Sequence, residues 1–198
     1  MNEQKLVSTN GNMYTLFRLK AHRMKIREAV AVINRMKTDG IIKHYAIGGA
    51  VGATFYLEPS ATLDIDIFIG FKPEEGSHLI SLKPVFDYLT AHGCSTRGEY
   101  ILIAGWPVQF LPASGQLVEE ALESAIETDL EGEPAWIFSA EHLAAIALQT
   151  GRAKDMARVL QFVESGVLDA DKFESIISRH GLEGQWKHFK QAFFGDPK

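Results

Sequence analysis

Cysteine is almost missing: the 198 residues contain one, Cys94. An internal disulfide is therefore excluded, and no Cys/His spacing suggests structural zinc. Long apolar runs are missing as well. None approaches the ~20 residues that a membrane span needs, and Met1-Asn2-Glu3-Gln4-Lys5 lacks the apolar core of a signal peptide. The expectation is a cytoplasmic protein with no membrane role. There is no excess of positive charge, with 20 basic against 25 acidic residues and a net charge of −5, which argues against a general nucleic-acid coat. Internal repeats and low-complexity linkers are absent too. What is present is 46% hydrophobic and 23% charged residues, a globular balance that excludes disordered and fibrous classes. The length suits one good-sized domain, or a domain with a helical appendage.

Charge is unevenly spread. Residues 1–44 hold nine basic side chains against three acids. Residues 117–141 hold no basic side chain but carry Glu119, Glu120, Glu123, Glu127, Asp129, Glu131, Glu133 and Glu141. The asymmetry suits a polyanion near the N-terminal part, and equally two solvated faces of opposite sign.

Leu16 to Lys37 reads as helix, because Ile26, Val30, Ile33 and Met36 recur at three- and four-residue steps before Gly40. His44 to Ile47 is a short apolar run ended by Gly48-Gly49, a buried strand entering a glycine turn. Ala50 to Leu57 has helical composition. A second strand follows at Ile65, Ile67, Phe68 and Ile69, with two aspartates at its start. Ser81 to His92 reads as helix, and Tyr100–Ala104 with Pro107–Leu111 suit a hairpin around Gly105-Trp106. From about Glu119 the pattern reads as mostly helical, with one long helix over Ser139 to Glu164 and shorter ones over Asp169–Arg179 and Gly184–Phe193. The fold class is α+β: a small mixed sheet with flanking helices, followed by a helical C-terminal part. The seam is set in the acidic stretch Asp129 to Pro134, giving residues 1–130 as the core and 131–198 as the helical part.

Asp64-Ile65-Asp66 is the most informative triplet. On a strand, residues i and i+2 point to one face, so two like charges leave the same side of an otherwise apolar strand. A cation relieves that repulsion, most naturally Mg²⁺ with hard oxygen ligands; an exposed strand end is the plainer explanation. Strand, Gly-Gly, helix, then Thr62-x-Asp64-x-Asp66 is far more specific. It sets a phosphate cradle beside a metal pair, the equipment of phosphoryl or nucleotidyl transfer.

Gly48-Gly49-Ala50-Val51-Gly52-Ala53 with Thr62-Leu63-Asp64-Ile65-Asp66-Ile67-Phe68 resembles the glycine motif and D-x-D strand of the polymerase-β-like nucleotidyltransferases, in particular the AbiEii-like group that includes toxins of toxin–antitoxin pairs. Ser139–Leu143, Gly151-Arg152-Ala153-Lys154-Asp155 and Gly181–Trp186 extend the resemblance, which covers about Ile41 to Phe189. It implies that Asp64 and Asp66 are catalytic and hold Mg²⁺, with a two-ion site within reach. It further implies nucleotide binding by Gly48, Gly49, Thr62, Arg152, Lys154 and Asp155. The implied substrates are a nucleoside triphosphate and an RNA, protein or small-molecule acceptor, with tRNA or a protein foremost; the implied partner is an antitoxin.

The chain also departs from that pattern. The family's third carboxylate falls on Gln109, an amide that cannot act as a base, with Glu99 and Asp87 as possible substitutes. Ser60, Gln149 and Arg158 stand where the family favours Arg, a basic residue and an acid. Arg152, Asp155 and Arg158 also suit simple i,i+3 pairing on a helix. The expected function is thus a Mg²⁺-dependent nucleotidyltransferase, toxin-like in one version. The alternative is a catalytically weakened module of the same fold that binds nucleotide, RNA or a protein. The histidines show no metal spacing, and Trp106, Trp136 and Trp186 are expected to pack rather than stack a base.

Overall fold

The computed structural model describes residues 26–58, 62, 64–70 and 81–195. The apolar three- and four-residue spacing of Val30, Ile33 and Met36 yields helix α1 over residues 26–38, whose inner face is fully buried. The part of that helix expected before Ile26 lies outside the described residues. Strand β1 (His44–Ile47) follows, then the short helix α2 (Gly49–Ala53), strand β2 (Ile65–Gly70) and helix α3 (Lys83–Ala91). Strands β3 (Ser95–Arg97), β4 (Tyr100–Ile103) and β5 (Trp106–Pro112) form a meander. Ala104 and Gly105 make the β4–β5 turn, both at positive φ, the geometry of a tight hairpin.

Helix α4 (Gln116–Glu123) leads into strands β6 (Ile126–Leu130) and β7 (Glu133–Ile137). Helices α5 (Ala140–Thr150), α6 (Ala153–Ser165), α7 (Ala170–Arg179) and α8 (Glu183–Phe194) complete the chain. The seven strands form one mixed sheet in the order β3-β4-β5-β2-β1-β7-β6. β2 runs parallel to β5 and antiparallel to β1, while β1 meets β7 in parallel at Ile47↔Ile137. The α+β class is therefore as expected.

Two local expectations are corrected. The stretch after Glu119 is mostly helical as expected, but it is interrupted at residues 126–137 by the β6–β7 hairpin, whose β7 joins the centre of the sheet. Glu131 and Gly132, both at positive φ, make its turn, so the 130/131 boundary falls inside that turn. The long helix over Ser139–Glu164 is two helices. Gly151 adopts a left-handed φ of 73° at the end of α5, a conformation glycine takes without strain.

Alternation along β2 sorts the sheet into two faces. Ile65, Ile67 and Ile69 pack with Val108, Phe110, Ile101 and Ile103 beneath α1 and α3. That face is sealed, and truncating one of its isoleucines to alanine is expected to cost about 2–5 kcal/mol. The opposite face carries Ala46 and Phe68 under Phe138 and the α5–α6 pair. Helix α5 is the hub there, touching α2, α4, α6, α7 and α8. Ser139 caps it, accepting from the His142 N–H at 3.3 Å.

Candidate active site

β1 ends at Ile47, and the backbone passes directly over the second residue of β2. The Gly48 N–H donates to the Asp66 carbonyl at 3.0 Å. A β-carbon on Gly49, whose φ is +56°, would overlap the Asp66 carboxylate; one on Gly48 would overlap the Phe68 ring. Both glycines are thus required by close approach, and Gly49 by backbone conformation as well. Helix α2 is only five residues long, so the loop offers the free N–H groups of a first turn rather than a developed helix dipole.

Asp64 stands just before β2 and Asp66 is its second residue, so both carboxylates lie on the face that α1 and α3 do not cover. Both are half-buried. Thr62 donates its hydroxyl to the Asp64 carbonyl at 3.1 Å and lies 3.4 Å from its Oδ1, which steadies the approach to the strand. Burial raises the Asp66 pKa above its ordinary value, and the adjacent Asp64 adds to the rise; Arg158, Lys154 and Arg152 pull it down. The pair is thus an anionic site with its charge only partly offset.

Those three cations come from the loop between α5 and α6 and from α6 itself. Asp155 is buried and fixes the two arginines: Arg152 Nε lies 2.5 Å from its Oδ2, and Arg158 Nη1 lies 3.7 Å from its Oδ1. The expected i,i+3 pairing is present. It is not a solvated face, however, because the Asp155 side chain is only 3% exposed. Lys154 is exposed and makes no ion pair among the described residues.

The parallel register places Gln109 directly opposite Asp66. The β4–β5 register, Ile101↔Val108, then carries Tyr100 alongside Gln109, and Arg97 on β3 faces Tyr100. Burial, followed by the carboxylates of Asp64 and Glu99, raises the Tyr100 pKa above its ordinary value. Asp87, the other candidate third acid, instead pairs with Lys83 one turn away on α3 at 2.5 Å. Tyr100 was missed in the sequence reading. The hairpin expected around Gly105-Trp106 sets Tyr100 against Leu111; the turn instead falls one residue earlier, at Ala104-Gly105, with Trp106 opening β5, and this brings Tyr100 opposite Gln109.

The donor set suits a hard divalent cation. It consists of two carboxylates on one strand face, with an amide oxygen in register. Mg²⁺ is commonly held by one or two carboxylates, with phosphates and water completing the shell. Among the described residues no group of three Asp, Glu, His or Cys side chains is arranged to hold a metal.

No protein-family model matches the chain, and no curated protein matches it. Solved structures do. The solution structure of the antibiotic-resistance factor ANT(2'')-Ia superposes with a TM-score of 0.50 at 14% identity, over 89% of this chain and 99% of that one. An antigenic nucleotidyltransferase-like protein from Paracoccidioides brasiliensis superposes with a TM-score of 0.51 at 11% identity, over 87% and 97%. The fold is that of a nucleotidyltransferase. At these identities the likeness shows architecture, and the roles of individual residues rest on the geometry above.

The tryptophans pack as expected. Trp106 is 7% exposed, Trp136 sits edge-on to Tyr45 under the Lys37 ammonium, and Trp186 stacks on Phe189.

Proposed function

We propose that this chain is a Mg²⁺-dependent nucleotidyltransferase that moves a nucleoside monophosphate from a nucleoside triphosphate to an acceptor hydroxyl. The observation that carries the reading is the Gly48-Gly49 backbone seated on the Asp66 carboxylate, with Asp64 beside it and three cations facing it. In this reading Asp64 and Asp66 hold the metal, and the N–H groups after Gly48 receive phosphate oxygens. Lys154 and Arg152 neutralise the departing pyrophosphate, while Asp155 keeps Arg152 in place. Bound Mg²⁺ supplies Lewis-acid stabilisation of charge at the transferring phosphorus. Gln109 orients the acceptor as a hydrogen-bonding amide but takes no proton.

The acceptor class belongs to the proposal: an RNA such as tRNA, a protein or a small molecule. So does the AbiEii-like, toxin-type version with an antitoxin partner and a cytoplasmic place of action. Support for the toxin version is the sequence resemblance, and its test is expression: growth arrest abolished by Asp66→Ala. One observation favours a second reading. Gln109, in register with Asp66, removes the obvious general base, which suits a module that binds nucleotide without efficient transfer.

Calorimetric titration of Mg²⁺ with each nucleoside triphosphate into wild type and an Asp64→Asn/Asp66→Asn variant tests the site. Binding that needs the metal and disappears in the variant supports the proposal; identical behaviour of the two proteins refutes it. Label transfer from an α-labelled nucleoside triphosphate to any acceptor then separates enzyme from binding module.

A further inference from the structure

The sheet face that carries Asp66 extends past the carboxylates onto the β3–β4–β5 meander. Register fixes which side chains stand there. Gln109 pairs with Asp66, Tyr100 follows beside Gln109, and Arg97 pairs with Tyr100. Partners in register share a face, so these four form one row. At about 4.8 Å per strand step, the row runs about 14 Å from Asp66 to Arg97. Leu102 pairs with Pro107, and Leu111 with Phe68, which sets apolar side chains on both sides of the row. Leu102, Pro107 and Leu111 are half-buried, and the two leucines belong to neither hydrophobic core. The opposite face of the same strands, with Ile101, Ile103, Val108 and Phe110, is buried.

What this strip omits decides what it can receive. From Ser95 to Pro112 the chain has one base, Arg97, and one acid, Glu99, both at the β3–β4 turn. A nucleic-acid strand needs several cations along its phosphates, and a polyamine needs several carboxylates. The strip supplies neither. An apolar floor with one aromatic ring and a few convergent polar groups is the make-up of a small-molecule site. Here that floor begins in register with Asp66.

We propose that this strip is the acceptor subsite, and that its acceptor is a small uncharged compound whose hydroxyl is carried on a flat apolar ring. The hydroxyl lies at Gln109 beside the metal pair, and the ring lies over Tyr100, Leu102 and Pro107. Tyr100 is the specificity-determining residue. The inference rests on the nucleotidyltransferase reading and names the acceptor class which that reading leaves open.

The test uses 2-naphthol as the probe, followed by its own fluorescence and by proton NMR, with the purified full chain. Wild type is expected to bind it in preference to decauridylate, spermine and a serine-containing peptide. Tyr100→Ala is expected to weaken naphthol binding about fivefold. Leu102→Glu is expected to weaken it about tenfold or more, because a carboxylate there meets the apolar ring. Tyr100→Phe, which keeps the ring, is expected to bind as wild type does. With Mn²⁺ and a non-cleavable nucleoside triphosphate analogue also bound, the naphthol signals are expected to broaden, which sets the ring beside the metal pair. Failure of naphthol to bind, equal binding by folded Tyr100→Ala and Leu102→Glu, or signals that stay sharp beside bound Mn²⁺ overturns the proposal. None of these touches the nucleotidyltransferase reading, whose metal and nucleotide binding is measured in the same samples. A Tyr100-dependent preference for decauridylate, spermine or the peptide overturns the proposal in favour of a charged or macromolecular acceptor. Wild type that binds no Mn²⁺-nucleotide overturns the nucleotidyltransferase reading, and the acceptor assignment with it. Should Leu102→Glu unfold, Leu102→Ser serves, with a smaller loss in the same direction expected and no loss refuting the proposal.

Discussion

Two acidic clusters in this molecule are handled in opposite ways. Glu120 on α4 is saturated with partners: Arg179 Nη2 at 2.5 Å, His180 Nε2 at 2.8 Å and His142 Nε2 at 3.3 Å. Arg179 chiefly, with both histidines, pushes its pKa down to about 2. Burial keeps His142 below its ordinary value. A neutral imidazole with its proton on Nε2 satisfies both contacts, donating to Glu120 and accepting at Nδ1 from the Ser139 hydroxyl at 3.0 Å. The cluster binds α4 to α5 and α7 and leaves its anion no charge to spare. Asp66 is the reverse: a carboxylate beside a second carboxylate, with no ion pair among the described residues and a raised pKa. A saturated anion ties elements together, whereas in the proposed reading an under-compensated one beside a glycine loop receives a cation. Stability is spent at Asp66 and recovered at places such as Glu120.

The largest expected effect breaks this contrast at its functional end. Asp64→Asn/Asp66→Asn is expected to weaken Mg²⁺-nucleotide binding at least ~100-fold, since charged contacts carry most of the attraction, while raising the apo melting temperature by relieving the carboxylate repulsion. Calorimetry and thermal scans of one preparation check both halves. Next, Gly49→Ala is expected to cost more than about 2 kcal/mol of stability from left-handed strain and overlap with Asp66, with nucleotide binding lost alongside. Urea titration read with binding separates strain from simple unfolding. Glu120→Gln should act only on the fold, lowering the melting temperature by about 3–6 °C with Mg²⁺-nucleotide affinity unchanged.

The smallest effect is on pH dependence and has opposite signs at the two acids. The depressed Glu120 pKa gives stability that is present above its unfolded value of 4.5 and lost as pH falls toward about 2. Asp66, with a raised folded pKa, binds its proton more readily when folded and so gains stability as pH falls through that pKa. Between pH 4.5 and 2, Glu120→Gln should therefore lose less stability than wild type, and Asp66→Asn more. Equal slopes in all three proteins would sink the contrast.

The sequence made the site strand legible because each feature there is local. The apolar run His44–Ile47, the paired glycines and the i,i+2 aspartates are neighbours in the chain, and period-two geometry alone sets Asp64 and Asp66 on one face. The β6–β7 hairpin was hidden for a physical reason. β6 is an edge strand with most residues exposed, so it needs no apolar alternation, and its Glu and Asp residues mimic a solvated helix. The break at Gly151 was masked because the apolar spacing of α5 continues into α6. The Glu120 cluster joins residues 22 and 60 positions apart, and no local pattern announces that. The resemblance singled out Gln109 as the third-carboxylate position, whereas its register opposite Asp66 comes only with the β2–β5 pairing, and the influence of Arg158 on Asp66 depends on how α6 lies over the sheet.

The pairing of β1 with β7 has a consequence for the order in which the chain comes to life on the ribosome. Synthesis runs from the N-terminus at about 5–20 residues per second. Asp64 and Asp66 emerge early, yet the open edge of β1 stays unpaired until Ile137 follows, and the cations that answer Asp66 arrive only with residues 152–158. A nascent chain stopped before that point carries the acidic pair without its counter-charges. In the proposed reading, competence to hold a triphosphate is therefore deferred until residues 152–158 have been made, and a product that stops short of them lacks it.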